Sequence, residues 1–176
     1  MMTMSVPGPM LKGRNSTGGC FTALMAVIGK HAAGSFWWVE LATTDQEAAK
    51  RFYQSLLGWQ AHDSPMGPDD FYTMFQREGR LVGAAYTLRP AQRDQGVPPH
   101  WTLYICVASA DEAVRRVGEL GGAVLAPAFD VVDFGRMAVV RDPTGAIFSL
   151  WQPKKHAGLG LAGPHTFCWA DLITAG

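Results

Sequence analysis

Residues 36–59 read FWWVELATTDQEAAKRFYQSLLGW, and the hydrophobic period changes partway along them. Residues 36–43 are apolar, aromatic and β-branched, which predicts a strand. Thr44 or Asp45 then offers an N-cap, and Ala49, Phe52, Tyr53 and Leu56 recur at helical spacing until Gly58 stops the helix. Three short strands are expected next, at 59–62, 71–77 and 80–88, with Glu78-Gly79 as the hairpin turn between the last two. The element order is β-α-β-β-β.

The same order recurs about 64 residues later. Residues 101–108, WTLYICVA, predict a strand, and Ser109 with Glu112 reads as a capping box. Ala113, Val114, Val117 and Leu120 then give a helix that Gly121-Gly122 closes. Strands are expected at 123–126, 136–141 and 146–152, the last pair joined by Asp142-Pro-Thr-Gly145, which suits a type I turn and needs no chemistry to explain it. Between the repeats, Gln92 to Pro99 reads as a linker, and Arg89 to Arg93 as a solvated loop. The tail FCWADLIT, 167–174, sits in register with FWWVELAT and reads as the opening strand of a third repeat. An unpaired strand of that kind is an apolar edge and would favour a homodimer.

Composition narrows the function classes. The chain has 176 residues, of which 48% are hydrophobic, so a packed core is affordable. Fifteen basic residues cancel fifteen acidic ones, which argues against an electrostatic binder of nucleic acid or membrane surfaces. No apolar run reaches the roughly 20 residues of a membrane span. Cys20, Cys106 and Cys168 are odd in number and lack CxxC spacing, which fits a reducing, cytoplasmic setting and neither a disulfide framework nor a zinc knuckle. Residues 1–34, with scattered Pro, Gly and Ser, are expected to be a disordered leader.

Two stretches together, VELATTDQEAAKRFYQSLLGW at 39–59 and GRMAVVRDPTGAIFSLWQP at 135–153, resemble the vicinal oxygen chelate superfamily of glyoxalases, bleomycin resistance proteins and extradiol dioxygenases. The likeness is greatest to tandem glyoxalase-like proteins of four modules. It implies an α+β fold over 35–153, in which two βαβββ modules, 36–90 and 99–152, pair into one cupped mixed sheet with helices outside. Residues 154–165 would be a linker, and 166–176 the start of a third module.

Alternation then sorts the strands. Val39 and Leu41, Leu103 with Ile105 and Val107, and Phe148 with Leu150 make aliphatic faces suited to lie under helices. Trp38, Glu40 and Ala42 point the other way, as do Thr102, Tyr104 and Cys106, and Ile147, Ser149 and Trp151. By the resemblance this second face is concave and lines a pocket, so Trp38, Glu40, His100, Thr102, Tyr104, Ser149 and Trp151 are the candidate ligand-binding residues. Metal-using members of the family carry histidines and a carboxylate at positions that fall here on Trp38, Thr102, Ser149 and somewhere in Leu81 to Leu88. A divalent ion needs three or four converging N/O donors, so no metal and no other cofactor is expected. His100 lies on the same face and is the nearest substitute ligand, or simply a half-exposed residue at the strand mouth.

Glu40 carries the sharpest question. A carboxylate on an aromatic, partly desolvated face must pair or take a raised pKa. It serves either as a general base or ligand anchor, or as a tie to Tyr104, Trp38 or another side chain across the module boundary. The expected partner is a small organic molecule held without metal, for sequestration or sensing. Two alternatives stay open: a glyoxalase-like lyase, isomerase or oxygenase using Glu40, with or without metal, and one half of a tandem enzyme.

Overall fold

In the computed structural model, which describes residues 25–68 and 70–173, a change of period becomes a change of element. Strand β2, Phe36–Thr43, runs into helix α1, Gln46–Leu57. The Asp45 carboxylate accepts from the Ala48 amide at 2.8 Å, and Gly58 ends the helix in the left-handed region at φ 68°. Strands β3, Gln60–Gly67, β4, Asp70–Arg77, and β5, Arg80–Thr87, complete the first module. The second repeats it as β6, His100–Cys106, α3, Ala110–Glu119, β7, Ala123–Val131, β8, Gly135–Arg141, and β9, Ile147–Pro153. At α3 the Ser109 hydroxyl accepts from the Glu112 amide at 3.3 Å. At the β8–β9 turn, Asp142 Oδ1 accepts from the Thr144 and Ala146 amides at 2.8 and 2.9 Å.

These eight strands form one sheet in the order β3-β4-β5-β2-β6-β9-β8-β7. The modules meet where β2 and β6 pair antiparallel, while each opening strand pairs parallel with the closing strand of its own module. This is the α+β arrangement that the family resemblance implies, built from the element order that the repeat predicts. One face packs under the helices. Leu41, Phe75, Val82 and Ala85 meet Ala49, Tyr53 and Leu57 of α1, and Ala138, Val140 and Leu150 meet Ala113, Val114 and Val117 of α3. The other face carries Trp38, Tyr104, Cys106 and Trp151.

The differences from the sequence reading lie outside the repeats' openings. Strand β3 continues through Pro65 to Gly67, and β7 through Pro127 to Val131. Both are outermost strands, where a missing amide donor faces no partner, so proline does not end them. Residues 90–94, expected as loop and linker, form the short helix α2, Pro90–Asp94. Proline starts it, and the Gln92 side chain accepts from the Arg89 amide at 2.9 Å.

Residues 25–34, expected as the end of a disordered leader, pack instead; residues 1–24 and Cys20 lie outside the described residues. Strand β1, Ala26–Val27, pairs antiparallel with β10, Leu161–Ala162. The stretch 154–165, a linker by composition, is likewise a packed strap. Leu159 and Leu161 are buried, the Leu159 amide donates to the Trp37 carbonyl at 2.9 Å, and that of Gly160 to Leu81 at 2.8 Å. Residues 167–173 form no strand. Phe167 instead meets Phe36 edge to face, with ring centroids 5.5 Å apart.

Candidate functional site

Three side chains from two modules converge on the concave face. Glu40 comes from β2, Tyr72 from β4 and Tyr104 from β6. The Tyr104 hydroxyl donates to one Glu40 oxygen at 2.5 Å and the Tyr72 hydroxyl to the other at 2.7 Å. Trp38 Nε1 in turn donates to the Tyr72 oxygen at 3.1 Å. Register explains the convergence. Trp38 faces Tyr104 and Glu40 faces Thr102 across β2–β6, and Tyr104 faces Ser149 across β6–β9.

Burial dominates the electrostatics here. It pushes the Glu40 carboxyl above its ordinary range, although the two tyrosine hydrogen bonds and the nearby His100 pull the other way. Burial and the Glu40 charge drive both tyrosines well above 10. Tyr86 also faces this cluster and is raised, chiefly by burial. The result is a carboxylate held by two neutral phenol donors, with no further hydrogen-bond donor on it among the described residues.

The concave face divides into an open and a filled half. Glu40, Tyr72, Tyr86, His100 and Thr102 all keep partial exposure. His100 Nδ1 lies 2.8 Å from the Pro98 carbonyl, which fixes its hydrogen there and leaves Nε2 as the free nitrogen. The other half is filled by the chain itself. Register shifts between Phe36 and Trp38, a bulge that re-aims side chains, and Trp37 stacks on Trp151 with centroids 4.6 Å apart. His156 of the strap inserts between Trp37 and Trp38, 4.7 Å from each ring. Burial lowers its pKa to about 4. Trp38, Ser149 and Trp151 are therefore covered, exposed by only 2%, 1% and 5%. Trp151 lies so close to Gly135 that a Cβ there would sit 2.2 Å from the indole.

Of the sequence candidates, Glu40 and Tyr104 are bonded, Thr102 lies opposite Glu40, and His100 is near enough to act on its charge. Tyr72, Tyr86, Trp37 and His156 were missed. Alternation in β4, with Phe75 on the helix side, gives away Tyr72; nothing in the composition of 154–165 marks His156.

The chemistry of the donor set decides whether a metal fits. The positions that metal-using relatives fill with ligands hold Trp38, Thr102 and Ser149, and the β5 residues on this face are Ala84 and Tyr86. Among the described residues no three of His, Cys, Asp and Glu come together. The donor set does not fit a divalent ion.

A cupped sheet built from two βαβββ modules, joined along their opening strands, defines the class. The sequence model of the Glyoxalase/Bleomycin resistance protein/Dioxygenase superfamily matches residues 35–150, and the chain belongs to that family. Among curated proteins it is 44% identical over 139 residues to the "Putative glyoxylase CFP32" of Mycobacterium bovis, an alignment covering 78% of this chain and 53% of that protein. It is 33% identical over 158 residues to the anthracycline biosynthesis protein DnrV of Streptomyces peucetius, covering 84% of this chain and 58% of the relative. The chain thus spans little more than half the length of these relatives. Among solved structures, the hypothetical protein BH1468 of Bacillus halodurans C-125 superposes with a TM-score of 0.54 at 15% identity, over 70% of this chain and 96% of the other, a likeness of fold.

Proposed function

We propose that the chain binds a small aromatic molecule bearing hydroxyl or amino groups on the open half of the concave face, without metal, to sequester or sense it. The observation that supports this is Glu40: partly exposed, raised above its ordinary range, and flanked by phenol rings that offer flat apolar surface. A ligand N–H or O–H would complete the lone pairs that Tyr72 and Tyr104 leave free. The relative DnrV is named for anthracycline biosynthesis, and hydroxylated polycyclic rings carry both the flat surface and the donors. A cytoplasmic location belongs to the same reading and is supported by the free thiols of Cys106 and Cys168.

The test is a fluorescence and calorimetric titration with polyhydroxylated aromatics, run on wild type and Glu40→Gln. Saturable binding that weakens at least tenfold in the variant, with the thermal midpoint no lower than that of wild type, supports the reading. Binding that tracks one equivalent of tightly held Zn, Ni, Mn or Fe overturns it.

The raised pKa of Glu40 supports a second reading, in which it takes a proton from substrate as a lyase or isomerase base. Turnover lost in Glu40→Gln with ligand affinity retained would select that reading over sequestration.

A further inference from the structure

We propose a second ligand site on the opposite, helix-bearing face: a cleft that takes a neutral, planar aromatic carbonyl compound. Helix α1 covers β5 and part of β2, and α3 covers β8 and β9, so the outer face of the central β2–β6 pair lies between them. A cleft of about 380 Å³ opens there, within the range of small-molecule sites. Val39 and Leu103 form its floor, Tyr53 and Trp101 a wall, and Phe167 and Trp169 of the C-terminal segment the far side.

Three observations choose the ligand. The wall is aromatic and fixed: Tyr53 and Trp101 meet edge to face at 5.4 Å, and Tyr53 stacks on Trp59 at 5.5 Å. The segment leading to the far side is anchored, because Trp59 Nε1 donates to the His165 carbonyl at 2.7 Å, Thr166 bonds back to Gly163 and Phe167 packs on Phe36, while Trp169 Nε1 donates to Asp171. Flat rings match such walls best. Next, among the described residues no Asp, Glu, Lys, Arg or His lines the cleft, and the Asp171 carboxylate already accepts from Trp169 Nε1, so a charged ligand would be desolvated without a free partner there. Finally, the Tyr53 oxygen accepts from Trp101 Nε1 at 3.2 Å, while its own hydrogen meets no acceptor among the described residues. That O–H is the one polar handle on the wall, and it calls for a carbonyl oxygen. Trp101 and Trp169 remain 36% and 74% exposed, apolar surface that a bound ring would cover.

The probe is 2-acetylnaphthalene, titrated against the whole chain by tryptophan fluorescence and calorimetry. Saturable one-to-one binding is expected, with naphthalene at least threefold weaker and 2-naphthoate at least tenfold weaker. Trp169→Ala, at an exposed position, should weaken the ketone at least fivefold. Tyr53→Phe should abolish the preference for ketone over naphthalene. Glu40→Gln should leave all of these unchanged, which separates this site from the concave one. Non-saturable quenching, loss of affinity in Glu40→Gln, indifference to Trp169→Ala, or an apparent affinity that follows self-association of the protein would each overturn the proposal.

Discussion

Glu40 shows how two hydrogen bonds lose to burial. Each phenol O–H to a carboxylate is worth about 1.5–3 kcal/mol, yet the carboxyl still sits above its ordinary range because desolvation opposes the charge. A raised carboxyl pKa stabilises the fold below its unfolded value of 4.5, and that contribution disappears as pH climbs through the folded value. Glu40→Gln removes the penalty of a buried charge, so the variant should be at least as stable as wild type at pH 8 and lose that advantage at pH 4. Denaturant midpoints across that range check it. Tyr104→Phe should behave oppositely, costing about 1.5–3 kcal/mol at pH 8 and less at pH 4, where the protonated carboxyl needs the donor less. His156 makes the second residue-scale case. Its Nδ1 accepts the Gly158 amide at 2.9 Å, so protonation there would remove an acceptor inside a ring of indoles. With a folded pKa of about 4 against 6.5, its contribution is complete above pH 6.5 and is lost as pH falls towards 4, by at most about 3 kcal/mol. His156→Phe should flatten that part of the stability curve; an unchanged slope would remove His156 as its cause. Glu40 was legible because a charge breaks the alternation of β2. His156 was not, since its burial depends on where a glycine-rich segment happens to fold back.

At the scale of elements, legibility followed local physics. The starts and stops of α1 and α3 were readable because an Asp or Ser cap and a following glycine act on neighbouring amides. The ends of β3 and β7 were not, because proline stops a strand only where its missing donor would have had a partner. The strap reads as a linker for a related reason: its glycines serve close approach rather than looseness. Gly158 has φ +81°, and a Cβ there would lie 2.7 Å from Trp37 Nε1 and 2.8 Å from the Trp37 carbonyl oxygen. Gly158→Ala should therefore cost roughly 2–4 kcal/mol, combining backbone strain with a clash against a buried ring and backbone. An alanine at Gly145 in the β8–β9 turn, also at positive φ but with open space around it, should cost only the strain, about 1 kcal/mol. Equal midpoints for the two variants would show that the strap does not press on Trp37.

For the whole molecule, the resemblance implies two modules paired into one sheet, and the structure adds a third layer of contacts. After β9 the chain places His156 among Trp37, Trp38 and Trp151 on the concave face. It then passes the starts of β2 and β5, where Gly160 bonds Leu81, and sets Leu161 beside Leu41, Trp59 and Phe75 on the helix side. His31 joins in, its Nε2 2.8 Å from the Leu159 carbonyl, to which it donates. Burying a leucine is worth about 1.5–3 kcal/mol, so Leu159 and Leu161 together supply roughly 3–6 kcal/mol. That is comparable to the whole margin of about 5–15 kcal/mol by which a domain of this size stays folded. Ending the chain after Pro153 should thus do far more than trim a linker. It should uncover the indoles of Trp37, Trp38 and Trp151, shift tryptophan emission to the red, raise binding of an apolar dye, and lower the denaturant midpoint by at least a third. A truncated chain with the emission maximum and midpoint of the full one would mean that the two modules stand alone and the strap merely rests on them. The same variant reports on function, because removing His156 and Leu159 opens the filled half of the concave face. If the strap sets the size of that site, the truncated chain, where it remains folded, should admit larger ring systems than the full-length chain while still needing Glu40.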